Sequence, residues 1–214
     1  MAADPWPLIH AERAALASDL ENLNDSGWQT PSLNAEWSVR ETLGHMIATA
    51  KMTPVRFFTK LAGAGFNFNA MTSRDVTAET AGTPAENLAT FRSLTNATTH
   101  PPGPVESMLG EAIIHSEDIR RPLGIKRDYP MEAVVRVGDF YKGSNLIVGA
   151  KKRIDGLRLA ASDAEWSTGS GPEVRGPMLS LVLAMTGRSA VLDDLTGDGV
   201  ETLRSRFPAS QAVA

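Results

Sequence analysis

The chain has 214 residues, 42% of them hydrophobic and 21% charged, with a formal net charge of -4 and a pI near 5.6. This composition suits a globular protein with an apolar core, and the acidic balance argues against a nucleic-acid partner. The absence of cysteine excludes disulfides, a cysteine nucleophile and a thiolate metal site within the chain. No secretory leader and no membrane-spanning apolar run is visible, so we expect a cytoplasmic protein without a membrane partner.

The N-terminal segments carry helical patterns. Apolar residues spaced three to four positions apart predict an amphipathic helix over residues 8–24, which Asp25–Gly27 should stop. Ser38 followed by Glu41 three positions later is a capping box, which predicts the start of a second helix. Leu43 lies on the apolar stripe of that helix.

Prolines and glycines divide the next part of the chain. Pro54 should interrupt the second helix, and the segment between Gly63 and Thr83 is predicted to form loops that shape a pocket. Thr83 followed by proline predicts another helix start. Two further helices are expected, one between Pro104 and Pro122 and one over residues 131–147.

The pattern changes near residue 150. Residues 157–161 alternate with a period of two, which is typical of a half-buried strand, and a partner strand with turns should follow near Trp166. A short helix is predicted from Met178 to Met185, and a last one from Gly199 to Phe207. The sequence therefore predicts an all-helical bundle of the four-helix type at residues 1–150 and a small α+β domain at residues 151–214.

Three helical side chains are candidate ligands of one divalent metal. Glu111 and His115 are four residues apart and share one helix face, while His45 lies on the second helix, away from its apolar stripe. Three protein ligands around zinc leave a fourth position open, as in catalytic sites. The neighbours of His45 on its face are small or soft, namely Ala48, Thr49 and Met52, so this face could line a cavity.

A simpler interpretation stays open on spacing alone. Polar residues belong on the solvent faces of amphipathic helices, and Glu111 with His115 could form only a weak surface pair. Asp118, one turn beyond His115, could accept its ring proton or could instead pair with Arg121.

Several segments, taken in order, resemble the actinobacterial mycothiol-dependent maleylpyruvate isomerase family, a branch of the DinB-like metalloenzyme bundles. The likeness extends over nearly the whole chain, including the small C-terminal domain, which in this family is sterol-carrier-like. The segments that carry it are Trp37–Glu41, Leu43–His45, Gly110–Gly124, Gly171–Pro177 and Leu183–Arg188.

The resemblance implies a divalent metal, usually zinc, held by His45, Glu111 and His115, with the thiol of mycothiol as the nucleophile. The thiolate would add to an activated double bond, the bond would rotate, and elimination would complete the change from cis to trans. Arg120 and Arg188 are candidate catalytic residues, and Arg121 and Arg188 candidate mycothiol contacts. Arg120 and Arg121 could equally form a helix end favoured by the dipole.

The function expected from this resemblance is isomerisation of maleylpyruvate-like substrates or thiol transfer. Two alternatives remain: a metal-dependent hydrolase on the same bundle, and a non-catalytic module that binds a metal or a small molecule. Expected partners are a small-molecule substrate and the thiol, with no nucleic acid, in a monomer or homodimer. His10 and His100 are not expected to take part.

Overall fold

The computed structural model describes residues 3–34, 36–145 and 148–208. The chain forms two compact units, Met1–Arg127 and Asp128–Ala214. This division falls earlier than the boundary predicted near residue 150. The difference lies in one helix, Met131–Lys142, which the sequence placed in the bundle and which packs within the second unit.

The first unit is a bundle of helices. Four of them, α1, α3, α6 and α7, form a closed ring in which each packs against two others, as expected for a four-helix type of bundle. Helix α5 packs on the outside of α3, and α4 packs on α5. The helices of this unit are α1 (Trp6–Asp19), α2 (Asp25–Gln29), α3 (Val39–Ala50), α4 (Pro54–Gly63), α5 (Phe68–Glu79), α6 (Pro84–Ser93) and α7 (Glu106–Arg120).

The predicted helix starts of this unit are confirmed where capping residues defined them. The Ser38 hydroxyl accepts from the Glu41 amide and the Glu41 side chain accepts from the Ser38 amide, which completes the capping box of α3. Thr83 and Glu86 repeat the arrangement at α6. Pro54 separates α3 from α4 and occupies the first turn of α4, where its missing N–H costs nothing.

Two predictions for this unit were wrong. The helix expected over residues 8–24 ends at Asp19, and Asp25–Gly27 does not stop a helix but begins the short α2, because Asn24 caps it through the Gly27 amide. The segment between Gly63 and Thr83 contains the helix α5 instead of loops. Asn67 supplies its cap by accepting from the Ala70 amide.

The core of the first unit is apolar and lies inside the ring of helices. It includes the predicted stripe of α3, and α7 contributes through its apolar side. The buried members of this cluster are Leu16, Ala17, Leu20, Trp28, Val39, Leu43, Met46, Ile47, Leu88, Phe91 and Ile119.

The second unit combines helices with a three-stranded mixed sheet of order β2–β1–β3, in which β1 is antiparallel to β2 and parallel to β3. Helix α10 packs on β1, β3 and α8. Its elements are α8 (Met131–Lys142), α9 (Ala150–Arg153), β1 (Arg158–Ala161), β2 (Ser167–Gly169), β3 (Glu173–Gly176), α10 (Met178–Met185), a 3-10 helix (Ser189–Asp194) and α11 (Val200–Arg204).

The small α+β character predicted for the C-terminal region is confirmed. Helix α10 has the predicted bounds, Met178–Met185. The sequence analysis assigned no strand where β3 lies, because its four residues include only one large apolar side chain, Val174. Helix α8 ends at Lys142, and Leu146 and Ile147, included in the helix predicted there, lie outside the described residues. Among the described helices, none has the length and apolar character needed to cross a membrane.

Candidate metal centre

Two of the three candidate ligands face each other across the bundle. Because α3 packs against α7, the imidazole centroids of His45 and His115 lie 4.8 Å apart, with the rings inclined at 73°. The indole of Trp37 contacts both, with centroid distances of 4.8 Å to His45 and 6.4 Å to His115. No spacing pattern links Trp37 to the histidines, since it precedes α3.

Glu111 lies one turn before His115 on α7 and is buried, with 9% of its surface exposed. Neither carboxylate oxygen has a hydrogen-bond partner among the described residues. Burial raises the pKa of Glu111, while the nearby charges of Arg13 and His115 lower it. A buried carboxylate without a partner is costly, and a bound cation would supply the interaction that both oxygens lack.

The three side chains do not form a closed coordination group. Within the described ranges, no three His, Cys, Asp or Glu side chains are close enough to hold a metal ion. They are linked in pairs: His45 contacts His115, and His115 interacts electrostatically with Glu111. The donor set suits zinc, and the unpartnered Glu111 carboxylate fits a cation, so metal binding by these residues stays a prediction.

The side of α7 that carries Glu111 and His115 is not a solvent face. Asp118 is fully buried, and the His115 side chain is 16% exposed. Helix α7 is buried on nearly all sides, because α1 and α3 both pack against it. The interpretation of these residues as an exposed surface pair was therefore wrong.

Asp118 holds the imidazole of His115 in place. The distance from His115 Nδ1 to Asp118 Oδ2 is 2.8 Å, so the predicted contact is confirmed. Because a carboxylate only accepts, Nδ1 carries the proton, and the lone pair of the neutral ring lies on Nε2. Arg121, the alternative partner considered for Asp118, donates from Nε to Glu117 Oε2 at 2.9 Å.

Arg13 is a buried cation that the sequence gave no reason to select. Arg13 is 1% exposed, and its Nη1 donates to the Ala97 carbonyl at 2.9 Å. Its Nη2 is buried without a hydrogen-bond partner among the described residues. Burial lowers the pKa of Arg13 and the charge of Glu111 raises it. In sequence it is one more charge on α1, and only the packing of α1 against α7 relates it to Glu111.

Arg120 lies in a buried ion network. Its guanidinium is fully buried and donates to the carboxylates of Glu12 and Asp19, the latter at 2.7 Å. Burial raises the pKa of Glu12, while Arg120 and Arg127 lower it. This network joins α7 to α1, which gives Arg120 a structural role. Its predicted catalytic role stays a prediction.

Arg188 belongs to the second unit. It directly precedes the 3-10 helix, and its Nη1 donates to the Thr186 carbonyl at 2.8 Å. Its positive charge contributes to lowering the pKa of Arg153, after the larger effect of burial. The catalytic and mycothiol-binding roles of Arg188, and the mycothiol-binding role of Arg121, stay predictions.

A cleft opens beside His45. The expectation that the face of His45 lines a cavity is confirmed, because Ala48, Thr49 and Met52 line the cleft together with it. The opposite wall comes from α5, the helix that sequence patterns missed. The other lining residues are Phe57, Phe68, Met71, Thr72, Asp75 and Pro101.

The two helices that form these walls approach closely at Gly44. A Cβ atom placed at this residue would lie 2.6 Å from Thr80 Cγ2, at the end of α5. Glycine immediately before His45 therefore allows α3 and α5 to pack at this distance.

Comparison with known proteins supports the resemblance seen in the sequence. Residues 9–103 match the model of the mycothiol maleylpyruvate isomerase N-terminal domain. This segment contains His45, whereas Glu111 and His115 follow it. No curated protein sequence matches the chain.

Two solved structures have the same fold. The crystal structure of the mycothiol-dependent maleylpyruvate isomerase matches with a TM-score of 0.63 and 14% identity, over 90% of this chain and 91% of that one. A histidine-to-alanine mutant of the isomerase matches with a TM-score of 0.62 and 13% identity, with the same coverage. Residues 9–103 thus match the N-terminal domain model of this family, and the chain has the fold of the mycothiol-dependent maleylpyruvate isomerase.

Proposed function

We propose that the chain is a metal-dependent enzyme that uses a low-molecular-weight thiol, mycothiol, at His45, Glu111 and His115. The reaction is cis–trans isomerisation of an activated alkene of the maleylpyruvate type, or transfer of the thiol to an electrophilic carbon. One observation carries the proposal: the Glu111 carboxylate is buried, has no hydrogen-bond partner among the described side chains and lies beside His115.

The surrounding residues support a metal-binding role for this position. Asp118 fixes the tautomer of His115 in which Nε2 carries a lone pair available to a metal, the usual arrangement for a ligand histidine. The ring centroids of His45 and His115 lie 4.8 Å apart, which supports assigning both rings to one centre. When bound, a divalent cation would lower the pKa of a coordinated thiol, so that the thiolate forms near neutral pH.

The chain's own residues would bind and orient the reactants. Trp37 packs against both imidazoles and limits their rotation. The cleft beside His45 offers an approach from solvent to the candidate centre. Arg13 places a positive charge near Glu111 and so favours its ionised form, which is the form that binds metals.

The test is calorimetric titration of mycothiol into zinc-loaded protein, with absorption spectra of the cobalt-substituted protein as a second measurement. We expect binding and a change in the cobalt spectrum, and neither in the His45→Ala protein. His100→Ala is the matched control, because this histidine contacts Trp6 and Pro101 and is not a candidate ligand. Metal binding without a thiol response, together with ester hydrolysis, would replace the proposal with a metal-dependent hydrolase.

A further inference from the structure

The lining of the cleft beside His45 is mostly apolar and contains no cation among the described residues. Its polar members are His45, Thr49, Thr72 and Asp75. The remaining six are Ala48, Met52, Phe57, Phe68, Met71 and Pro101.

The one acidic side chain of the lining is already neutralised. Asp75 accepts from the ammonium group of Lys60, and its side chain is 11% exposed. The pair has no net charge, so it offers no surplus positive potential to an anionic ligand.

Two of the arginines considered as site residues, Arg120 and Arg121, are held by carboxylates of the chain itself. Arg120 donates to Glu12 and Asp19 with its guanidinium fully buried. Arg121 donates to Glu117 at 2.9 Å. Neither lines the cleft.

Aromatic surface continues from the cleft to solvent. The ring of Phe57 lies 6.4 Å from that of Phe68, and both line the cleft. Phe58 contacts Phe57 edge-on at 5.5 Å and is 60% exposed. Helix α4, which carries both, has no buried residue. This surface favours an approaching molecule that is itself apolar.

We propose that the electrophile taken by this cleft is uncharged and largely apolar, such as an ester or a ketone conjugated to a double bond, and not a dicarboxylate. The inference rests on the proposed function and narrows its substrate class to uncharged conjugated carbonyl compounds, so that maleylpyruvate itself, a dicarboxylate, is not the expected substrate. In the reaction, the thiolate sulfur bonds to one alkene carbon, and negative charge develops on the conjugated carbonyl oxygen. After rotation about the remaining single bond the carbon–sulfur bond breaks, and the thiolate is regenerated with no net change in protons or electrons.

The first experiment compares ligands that share a carbon skeleton and differ in whether their carboxyl groups are ionised or methylated. Dimethyl succinate and succinate, which are unreactive, are titrated into zinc-loaded protein in the presence of mycothiol, and binding is followed by ligand-detected NMR. Dimethyl maleate and maleate serve as the matching substrates, with each rate expressed relative to the reaction of free mycothiol. We expect the ester of each pair to be preferred by about tenfold or more, the effect of one unfavourable charge interaction near a protein surface.

Two variants of α5 test whether the preference arises in the cleft. Thr72 and Thr77 both donate their hydroxyls to the carbonyl four residues earlier, at 3.0 Å and 2.9 Å, but only Thr72 lines the cleft. Thr72→Arg adds a cation to the lining and should shift the preference towards the dianion by about tenfold. Thr77→Arg adds the same charge on the exposed side and should leave the ratio unchanged.

The outcomes separate this inference from the proposed function. Preference for succinate and maleate in the unmodified protein would overturn the apolar substrate class and leave the thiol mechanism intact. Failure of mycothiol to bind would remove the proposed function, while the succinate pair would still report the charge preference of the cleft. An equal shift in both threonine variants would also contradict the inference.

Discussion

The imidazole of His115 and the carboxylate of Asp118 lie one turn apart on α7, with Nδ1 2.8 Å from Oδ2. Asp118 is fully buried, so water does not compete for this contact. The pair fixes both the orientation of the ring and the nitrogen that carries its lone pair. Glu111 and Asp118, which flank His115 on this side of α7, are both buried. A ring nitrogen held by a buried carboxylate is the usual arrangement of a ligand histidine.

Removal of the Asp118 carboxylate should therefore weaken metal binding without abolishing it. For Asp118→Ala we expect zinc affinity to fall by about 10- to 100-fold, because His115 loses the partner that orients it and raises its basicity. Competition with a chromophoric chelator measures the affinity. Glu117→Ala is the control, since it removes the adjacent carboxylate, which pairs with Arg121. Equal losses in both proteins would contradict a specific role for Asp118.

Purified protein should contain about one equivalent of divalent metal. His45→Ala and His115→Ala should each lose most of it, because two remaining ligands seldom retain zinc against a chelator. Elemental analysis after dialysis measures the content. His100→Ala should retain the metal. Full occupancy in the His45 and His115 variants would refute the assignment of these ligands.

Glu111 should make the stability of the metal-free protein depend on pH. Burial raises its pKa in the folded state above the ordinary value of 4.5. The folded state then holds the proton of Glu111 at pH values where the unfolded state has released it. The contribution of this group to the free energy of unfolding is therefore fully present below about pH 4.5 and is lost as the pH rises through the raised pKa.

Urea unfolding of metal-free protein at a series of pH values measures this effect. Glu111→Gln should remove the corresponding part of the slope and should be the more stable protein at neutral pH. Glu12, whose pKa is also raised by burial, titrates in both proteins, so the difference between them isolates Glu111. Parallel pH profiles would show that Glu111 is not the group responsible.

Arg120 should be essential for stability. Arg120→Met leaves the buried Glu12 carboxylate without its main partner and should cost about 3–5 kcal/mol. Arg92→Met is the control, because its pair with Glu21 is solvent-exposed and should contribute about 1 kcal/mol or less. Denaturant unfolding measures both. If Arg120→Met keeps its stability but loses turnover, the residue acts on the substrate and not on the fold.

The helix starts could be predicted because capping is a local property. Ser38 with Glu41 and Thr83 with Pro84 define their helices within a few residues. Helix α5 was missed because only three of its residues are buried, two of them apolar, so its sequence has hardly any hydrophobic periodicity.

The candidate site was predictable only in part. Spacing places Glu111, His115 and Asp118 on one face of any helix, and His45 could be selected from its small or uncharged neighbours on the second helix. Arg13 could not be found in the same way. Its interaction with Glu111 depends on how α1 packs against α7, and nothing local to either helix specifies that contact.

The close approach at Gly44 has a consequence for how binding preference can change in this protein. Any side chain at this residue would require the Thr80 side chain to move, because the first carbon would lie 2.6 Å from Thr80 Cγ2 and 3.5 Å from the Val76 carbonyl oxygen of α5. The absence of a side chain at Gly44 therefore affects both the distance between α3 and α5 and the position of the adjacent His45. A cleft of different size would then be obtained most directly by substituting lining side chains such as Met71 or Thr72.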